Sequence, residues 1–366
     1  MFWLLLVLFV VCIAFLAFLY LNPHFGGTVS ATRKSAYSKS KHWNGKVFEN
    51  IVETTMDVNL KTMPKLLKAQ FTDREVRSPI APIPVIPFEQ KAFDEGNGPK
   101  FIWYGHSVLL LKLNGKNILI DPMLGPDAAP IAPFPTKRFS EDTLEVINAL
   151  PPIDLMLMTH DHYDHLDLAS MRKLKSKVST IYASLGIRRH LERWGFKNHT
   201  IREFDWWEKA TFGEIEITFT PSRHFSGRGL SDRAKCLWGG WVFKSPDYSV
   251  YWSGDGGYGA HFKEVGNKLG PFDWTFIECG QYNELWRQIH LHPEESVQAS
   301  LDAQSKIVTP VHWAGFALAL HPWKEPIERF TREAKSKSLA VHTPKIGELV
   351  DMKQRGPSTD WWAKLD

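Results

Sequence analysis

The stretch "PPIDLMLMTHDHYDHLD", Pro151 to Asp167, joins an apolar run to nine residues that hold three histidines and three aspartates. The run from Ile153 to Met158, interrupted only by Asp154, reads as a buried strand, and the polar residues behind it as a loop leaving that strand's end. Alternate residues of an extended segment face the same way, so His160 and His162 converge on one point while Asp164 and His165, past the turn, address a second. Two such points a few ångströms apart describe a dinuclear metal site. Without cations the same side chains would be costly to gather in a partly buried place, because each desolvated polar group needs a partner.

One loop leaves coordination incomplete. Later β-rich runs end at His224 in "TPSRHFSGRG", Asp255 in "WSGDGGYG" and His312 in "VTPVHWAGF", where loops deliver chemistry in layered α/β folds. A lone strand-end histidine is more often a satisfied structural residue than a ligand; the dense stretch reverses that weighting. Upstream, "FIWYGHSVLLLKL" and "KNILID" are joined across Asn114-Gly115, a dipeptide suited to a hairpin turn. Further strands are expected in "STIYAS", "TIREF", "GEIEITFTP", "GGWVFK", "YSVYWSGD", "DWTFIECG" and "KIVTPVHW". Helices are expected in "LASMRKLKSK", "GIRRHLERWG", "AHFKEVGNKLG" and "PEESVQASLDAQ", the last with Pro293 at its first position. Two mixed sheets with helices packed outside, an α/β layered architecture, fit this order.

The N-terminus differs in kind. Phe2 to Leu21 carries no charge, and roughly 20 apolar residues are what a helix needs to cross a bilayer, so residues 1–22 read as a transmembrane anchor rather than a cleaved signal. Arg33, Lys34, Lys39, Lys41 and Lys46 follow with no acid before Glu49, which favours a cytoplasmic catalytic domain. Residues 23–100 read as a basic and proline-rich juxtamembrane linker partly packed on the domain, with "SPIAPIPVIPF" extended along the surface, and the catalytic domain is expected to span 101–366. A net charge of +4 is too small and too dispersed to argue for nucleic acid. The odd, scattered cysteines Cys12, Cys236 and Cys279 imply no disulfide framework, so any metal is held by nitrogen and oxygen.

The blocks "WYGHSVLLLKLNGKNILIDPMLG", "LPPIDLMLMTHDHYDHLDL", "DWWE", "RGLSDRAKCLWGGWV", "SGDGGYG", "GPFDWTFIECGQY", "HPEESVQASLDAQSK" and "HWAGFAL" run in order from Trp103 to Leu320. Together they resemble the N-acylphosphatidylethanolamine-hydrolysing phospholipase D family of the metallo-β-lactamase superfamily, whose fold is an αββα sandwich of two mixed sheets. The resemblance implies two zinc ions, with iron or manganese compatible with the same donors. It implies His160, His162 and His224 on one, Asp164, His165 and His312 on the other, and Asp255 between them. It also implies a histidine near the substrate phosphate at His290; His292 departs from the acid expected before the proline, which leaves open which of the two approaches the site. His106 and Asp121 are expected to orient ligands from outside the metal shell. Most of the remaining eight histidines are expected to be ordinary surface residues.

The expected activity is phospholipase D-type hydrolysis of N-acylphosphatidylethanolamine to phosphatidic acid and N-acylethanolamine by water activated between the cations, with Asp164, Asp255 and His290 as catalytic groups. Expected partners are the phospholipid and the membrane, with a homodimer as one oligomeric option. The loop "PMLGPDAAPIAPFPTKRF" and the fifteen tryptophans suit an amphiphilic substrate, although most tryptophans are expected in the core. Two competitors are a different hydrolase on the same scaffold, such as a lactonase, and a membrane-tethered metal-binding module without turnover.

Overall fold

The computed structural model describes residues 1–132 and 135–365; of the loop expected to suit an amphiphilic substrate, Pro133 and Phe134 lie outside the described residues. Strand β1 (Lys100–Trp103) runs antiparallel to β2 (Leu109–Leu113), so the run read as one strand is broken at Gly105-His106, both left-handed with φ of 79° and 52°. Asn114 and Gly115, at φ 46° and 72°, then fold β2 back on β3 (Lys116–Ile120) in the expected hairpin. From β3 the sheet continues in parallel through β4 (Ile153–Met158), β5 (Val178–Ser184) and β6 (Thr200–Phe204).

The second sheet starts with the antiparallel strands β7 (Lys209–Phe212), β8 (Ile215–Thr220), β9 (Gly240–Lys244) and β10 (Ser249–Trp252). It ends with the parallel β11 (Trp274–Glu278), β12 (Ile307–Val311) and β13 (Ala340–Val341), and β14 (Leu349–Asp351) returns to pair with β1. The orders are β14-β1-β2-β3-β4-β5-β6 and β13-β12-β11-β10-β9-β8-β7. Both sheets are mixed.

Helices α1 (Phe2–Leu21), α2 (Ala31–Tyr37), α3 (Met63–Gln70) and α4 (Gln90–Asp94) precede the sheets. Helices α5 (Thr143–Ala149), α6 (Leu168–Leu174) and α7 (Arg188–Arg193) cover the first sheet, and α8 (His261–Leu269), α9 (Pro293–Asp302) and α10 (Glu325–Ser336) the second. The period-2 alternation of strands explains the layers: Phe101, Leu109, Leu111, Leu155 and Leu157 face the opposite sheet, whereas Ile102, Leu110, Met156 and Met158 face Ile147, Leu168 and Met171 of the outer helices. Facing them across the sandwich are Phe219, Trp241, Trp252, Trp274 and Phe276. All tryptophans except Trp3, Trp207 and Trp286 are buried, and truncating such a side chain costs about 3–5 kcal/mol, so tryptophan here chiefly builds the core.

Among the described residues α1 is the one helix long and apolar enough to cross a membrane, and none of its residues is buried. Its exit is pinned to the domain. Arg193 donates to the Tyr20 carbonyl (2.6 Å), Trp194 Nε1 to the Pro23 carbonyl (2.8 Å) and Arg228 Nε to the His24 carbonyl (2.9 Å). The segment beyond it sends Tyr37, Trp43 and Phe48 into the inter-sheet core. Ser78–Phe88 forms neither helix nor strand and is tied down by Ile83 N–H on the Phe139 carbonyl and Ile86 N–H on the Ile346 carbonyl, both 2.9 Å.

Candidate metal centre

The polar side chains of the site follow the carboxyl ends of strands: His106 after β1, Asp121 after β3, Thr159 to His165 after β4, His224 after β8, Asp255 after β10 and His312 after β12. The β4 loop turns at His162, whose carbonyl accepts from the His165 and Leu166 N–H groups at 3.1 and 2.8 Å. Asp167 then caps α6 by accepting from Ser170 N–H at 2.8 Å. The turn separates the two halves of the dense stretch. His160 Nε2 and His224 Nε2 lie 2.9 and 3.2 Å from His162 Nδ1, while Asp164 and His165 gather around Asp255 and His312.

The outward ring nitrogens fix how the inward ones point. Thr159 Oγ1 donates to Asp121 Oδ2 (2.7 Å), so it accepts from His160 Nδ1 (3.0 Å); His224 Nδ1 donates to the Ile289 carbonyl (2.8 Å). Both rings therefore turn a bare Nε2 lone pair toward His162. His165 Nδ1 donates to Asp121 Oδ2 (3.0 Å) and faces Asp255 Oδ2 with Nε2, also at 3.0 Å. His312 Nδ1 pairs with Ser107 Oγ at 2.9 Å, and its buried Nε2, 3.3 Å from Asp255 Oδ2, has no hydrogen-bond partner. His106 Nε2 bonds Asp164 Oδ2 at 2.9 Å. Asp255 stands between the groups, 3.9 Å from His160 Nε2.

Converging lone pairs, an orphaned imidazole nitrogen and buried carboxylates fit divalent cations, which would satisfy them all. Burial holds His160, His224 and His312 well below the usual histidine range, in the neutral form that ligates metal. Burial also pushes Asp255 up to about 7. Burial opposes charge on His165 too, but the Asp255 and Asp164 carboxylates outweigh it and raise that imidazole well above its ordinary value. His106, Asp121, Gln281, His312 and Ala314 all adopt left-handed backbone (φ 52°, 40°, 61°, 67° and 55°), a concentration of strain usual at working sites.

His290 and His292 part company. His290 lines the mouth, with its ring 5.4 Å from His312 and 5.0 Å from His224, and its Nδ1 pairs with Glu278. His292 faces Tyr282 (4.8 Å between rings) and lies 3.8 Å from Glu284. Glu278, which sequence reasoning passed over, ends β11 in "FIECG", the strand-end position that drew attention to His312. Its buried carboxyl is pushed well above the usual range by desolvation, and Oε2 accepts from Gly256 N–H at 2.6 Å. Asp161 was also passed over. It turns away from the cluster to accept from Gly227 N–H (2.7 Å) and His190 Nε2 (3.1 Å), with Arg189 at 3.4 Å. Asp161, His190 and Cys236 make another compact donor group, but the Arg189 guanidinium, 2.9 Å from the Cys236 sulfur, already supplies its cation.

The expectation that most of the remaining histidines are surface residues is overturned. His190, His261, His292 and His342 are buried, and His24, His42, His199 and His321 are half-buried. Aromatic contacts such as His42 on Trp206 and His321 on Tyr282 use the imidazole as a flat apolar plate. Over the cluster opens a cavity of about 250 Å³, rimmed by Met56, Phe225, Trp286, Ile289 and Leu318. A larger apolar cavity of about 720 Å³ beside Ile83, Ile346 and Trp361 contains none of these site residues.

Residues 116–313 match the family model described as "Beta-lactamase superfamily domain". An uncharacterized protein of Mycobacterium tuberculosis is 34% identical over 343 residues, 92% of this chain and 91% of its own. The N-acyl-phosphatidylethanolamine-hydrolyzing phospholipase D 1 of Caenorhabditis elegans is 26% identical over 86% of this chain and 91% of its own. Igni18, a metallo hydrolase from the archaeon Ignicoccus hospitalis, superposes with a TM-score of 0.53 at 21% identity, over 69% of this chain and 97% of that one, a likeness of fold.

Proposed function

This chain belongs to the beta-lactamase superfamily and is a metal-dependent hydrolase of that fold, and from that premise we propose that it is a membrane-anchored, dinuclear phosphodiesterase. Its proposed substrate is N-acylphosphatidylethanolamine, cleaved at the distal phosphodiester bond to phosphatidic acid and an N-acylethanolamine. The observation that carries the reading is Asp255, set between two groups of inward-facing donors beneath a mouth rimmed by apolar side chains. The C. elegans relative of that printed activity, similar over 86% of this chain, supports the substrate class. The helix Phe2–Leu21 supports anchoring, and the basic residues Arg33 to Lys46 support a cytoplasmic orientation.

His160, His162 and His224 would hold one cation and Asp164, His165 and His312 the other, with Asp255 touching both. Divalent cations so placed supply Lewis acidity for phosphoryl oxygens and lower the pKa of water toward about 7. The protein's own part is orientation and proton handling. Asp121, Ser107, Thr159 and the Ile289 carbonyl hold the imidazole rings at fixed angles, and His106 steadies the Asp164 carboxylate. With Glu278 held protonated by burial and donating to His290 Nδ1, Nε2 carries the ring's proton toward the mouth to hydrogen-bond a phosphoryl oxygen; as that proton passes to the leaving alkoxide, the Glu278 proton moves to Nδ1. The rim of Phe225, Trp286, Ile289 and Leu318 gives the lipid's apolar part a dry surface.

The test is mass-spectrometric detection of N-acylethanolamine released from mixed phospholipid vesicles by the metal-loaded protein. His162→Ala serves as control, and a soluble phosphodiester and a lactone are assayed alongside. Release by the intact chain and not by the variant is expected. Turnover of the lactone with both phosphodiesters untouched would reject the reading.

A further inference from the structure

Helix α3 and the turns that flank it expose apolar side chains beside a row of lysines. The segment leaves the rim of the mouth and returns to the domain elsewhere: Met56 lines the cavity, Asp57 N–H donates to the Leu285 carbonyl (2.7 Å), and beyond the helix the Val76 carbonyl accepts from Trp323 N–H (3.0 Å). Buried Arg77 donates to the Ala69 and Thr72 carbonyls and holds the returning turn closed. At 3.6 residues per turn, Thr62, Leu66 and Ala69 share one side, and they are the half-buried positions. Leu67 points away from that side, Met63 lies on its flank, and Leu60 before the helix and Phe71 at its C-cap extend the exposed apolar surface, with exposures of 55%, 37%, 94% and 76%. Lys61, Lys65 and Lys68 stand together on one flank, and no acidic residue lies between Asp57 and Asp73.

A surface helix of a water-soluble body turns its polar side outward. Here exposed apolar side chains run beside a basic flank, the arrangement of a helix lying in the plane of a membrane surface. The surroundings agree. The anchor's exit and the segment before α3 rest on the same loop: the His24 carbonyl accepts from Arg228, while Met56 Sδ lies 3.6 Å from Arg233, and Leu230 between them is 78% exposed. The loop that receives the anchor therefore also borders the mouth.

We propose that α3, with Leu60, Met63, Leu67 and Phe71 buried among acyl chains and Lys61, Lys65 and Lys68 on anionic headgroups, is a second membrane contact that seats the mouth of the metal centre on the bilayer. The inference rests on the membrane anchoring proposed above and not on the identity of the hydrolysed lipid. The anchor confines the chain to the membrane; α3 determines which face looks down. A lipid entering the cavity past Met56 and Trp286 then need not cross water.

The experiment uses the full chain with Cys12→Ser and Leu67→Cys, since Cys236 and Cys279 are buried. An environment-sensitive fluorophore at position 67 is read after reconstitution into phosphatidylcholine vesicles with and without phosphatidylglycerol, with acyl-chain-quencher lipids included. The expected result is a blue-shifted, lipid-quenched label when phosphatidylglycerol is present. Reversing Lys61, Lys65 and Lys68 to Glu should lower that inserted fraction about tenfold, leaving hydrolysis of a soluble phosphodiester unchanged. Vesicles that carry the protein on flotation while the label stays in water overturn the α3 contact and leave the anchor standing. A protein that does not float overturns both. Insertion of the label without release of N-acylethanolamine rejects the substrate alone. A blue shift that follows protein concentration rather than anionic lipid assigns the apolar surface to a second copy of the chain and also overturns the proposal.

Discussion

Asp121→Asn separates the orienting residues from the ligands themselves. The buried Asp121 carboxylate accepts three hydrogen bonds, from Thr159 N–H at 2.8 Å, Thr159 Oγ1 at 2.7 Å and His165 Nδ1 at 3.0 Å. Asparagine has nearly the same shape and keeps the first of these at Oδ1. Where Oδ2 stood it offers an N–H₂ group to two donors. The threonine hydroxyl can rotate away. His165 cannot, unless its proton moves to Nε2, the nitrogen 3.0 Å from Asp255 that would otherwise meet the cation. One lost bond to a charged acceptor is worth about 1.5–3 kcal/mol, which at about 1.4 kcal/mol per decade is roughly a 10- to 100-fold loss of affinity. The same range is typical for the outer partner of a metal-bound histidine. Chelator competition, metal content after dialysis and hydrolysis of a soluble phosphodiester titrated with zinc measure it. One equivalent, that of Asp164, His165 and His312, should weaken by this factor while the His160, His162 and His224 equivalent holds. Two equivalents retained at unchanged affinity, in a variant with normal circular dichroism, would refute the orienting role of Asp121.

Three further outcomes follow from the same geometry. His290→Gln should lower kcat by about 10²–10⁴ at unchanged metal content, and an unaltered kcat would remove His290 from the proton path. Gly240→Ala places a Cβ 2.5 Å from the Trp252 carbonyl and 2.6 Å from that of Ser253, both backbone, so β9 and β10 must part; a loss of about 1–3 kcal/mol in urea unfolding is expected, and an unchanged midpoint would contradict the strand packing that presents Asp255. Burial, reinforced by Arg223, lowers His261 to about 3 from its ordinary 6.5, so the unfolded chain takes up this proton first: its contribution to stability is complete above pH 6.5 and is lost as pH falls toward 3. His261→Gln should flatten the pH dependence of the urea midpoint in that window by up to about 1.4 kcal/mol per pH unit, and a slope equal to the parent's would mean that His261 is already protonated in the fold.

Much of this architecture can be read along the chain. Strands buried on both faces announce themselves as continuous apolar runs, so Ile153–Met158 and Trp274–Glu278 were legible, as was the Asn114-Gly115 hairpin, whose φ values few other residue pairs tolerate. The strands β7, β13 and β14 were not. They are short, half-exposed edge pieces, and their identity comes from the neighbour they pair with rather than from their own residues. Helix α10 was missed although Ile327, Phe330 and Ala334 are spaced for one face, because the charged residues between them mask a narrow stripe.

The site divides along the same line. Local sequence determined that Thr159–Asp167 would concentrate donors at a strand end and that His160 and His162 would face together, because extended backbone alternates and a turn follows. Only the tertiary structure decided that Asp161, in the middle of that stretch, turns outward to His190 and Arg189, that His290 rather than His292 faces the donor cluster, and that Glu278 stands behind it. Each of these outcomes depends on a partner brought from a distant part of the chain by the register of two sheets. Burial then keeps His160, His224 and His312 neutral, and the Asp255 and Asp164 carboxylates override it at His165. Spacing along a chain carries neither that register nor that burial.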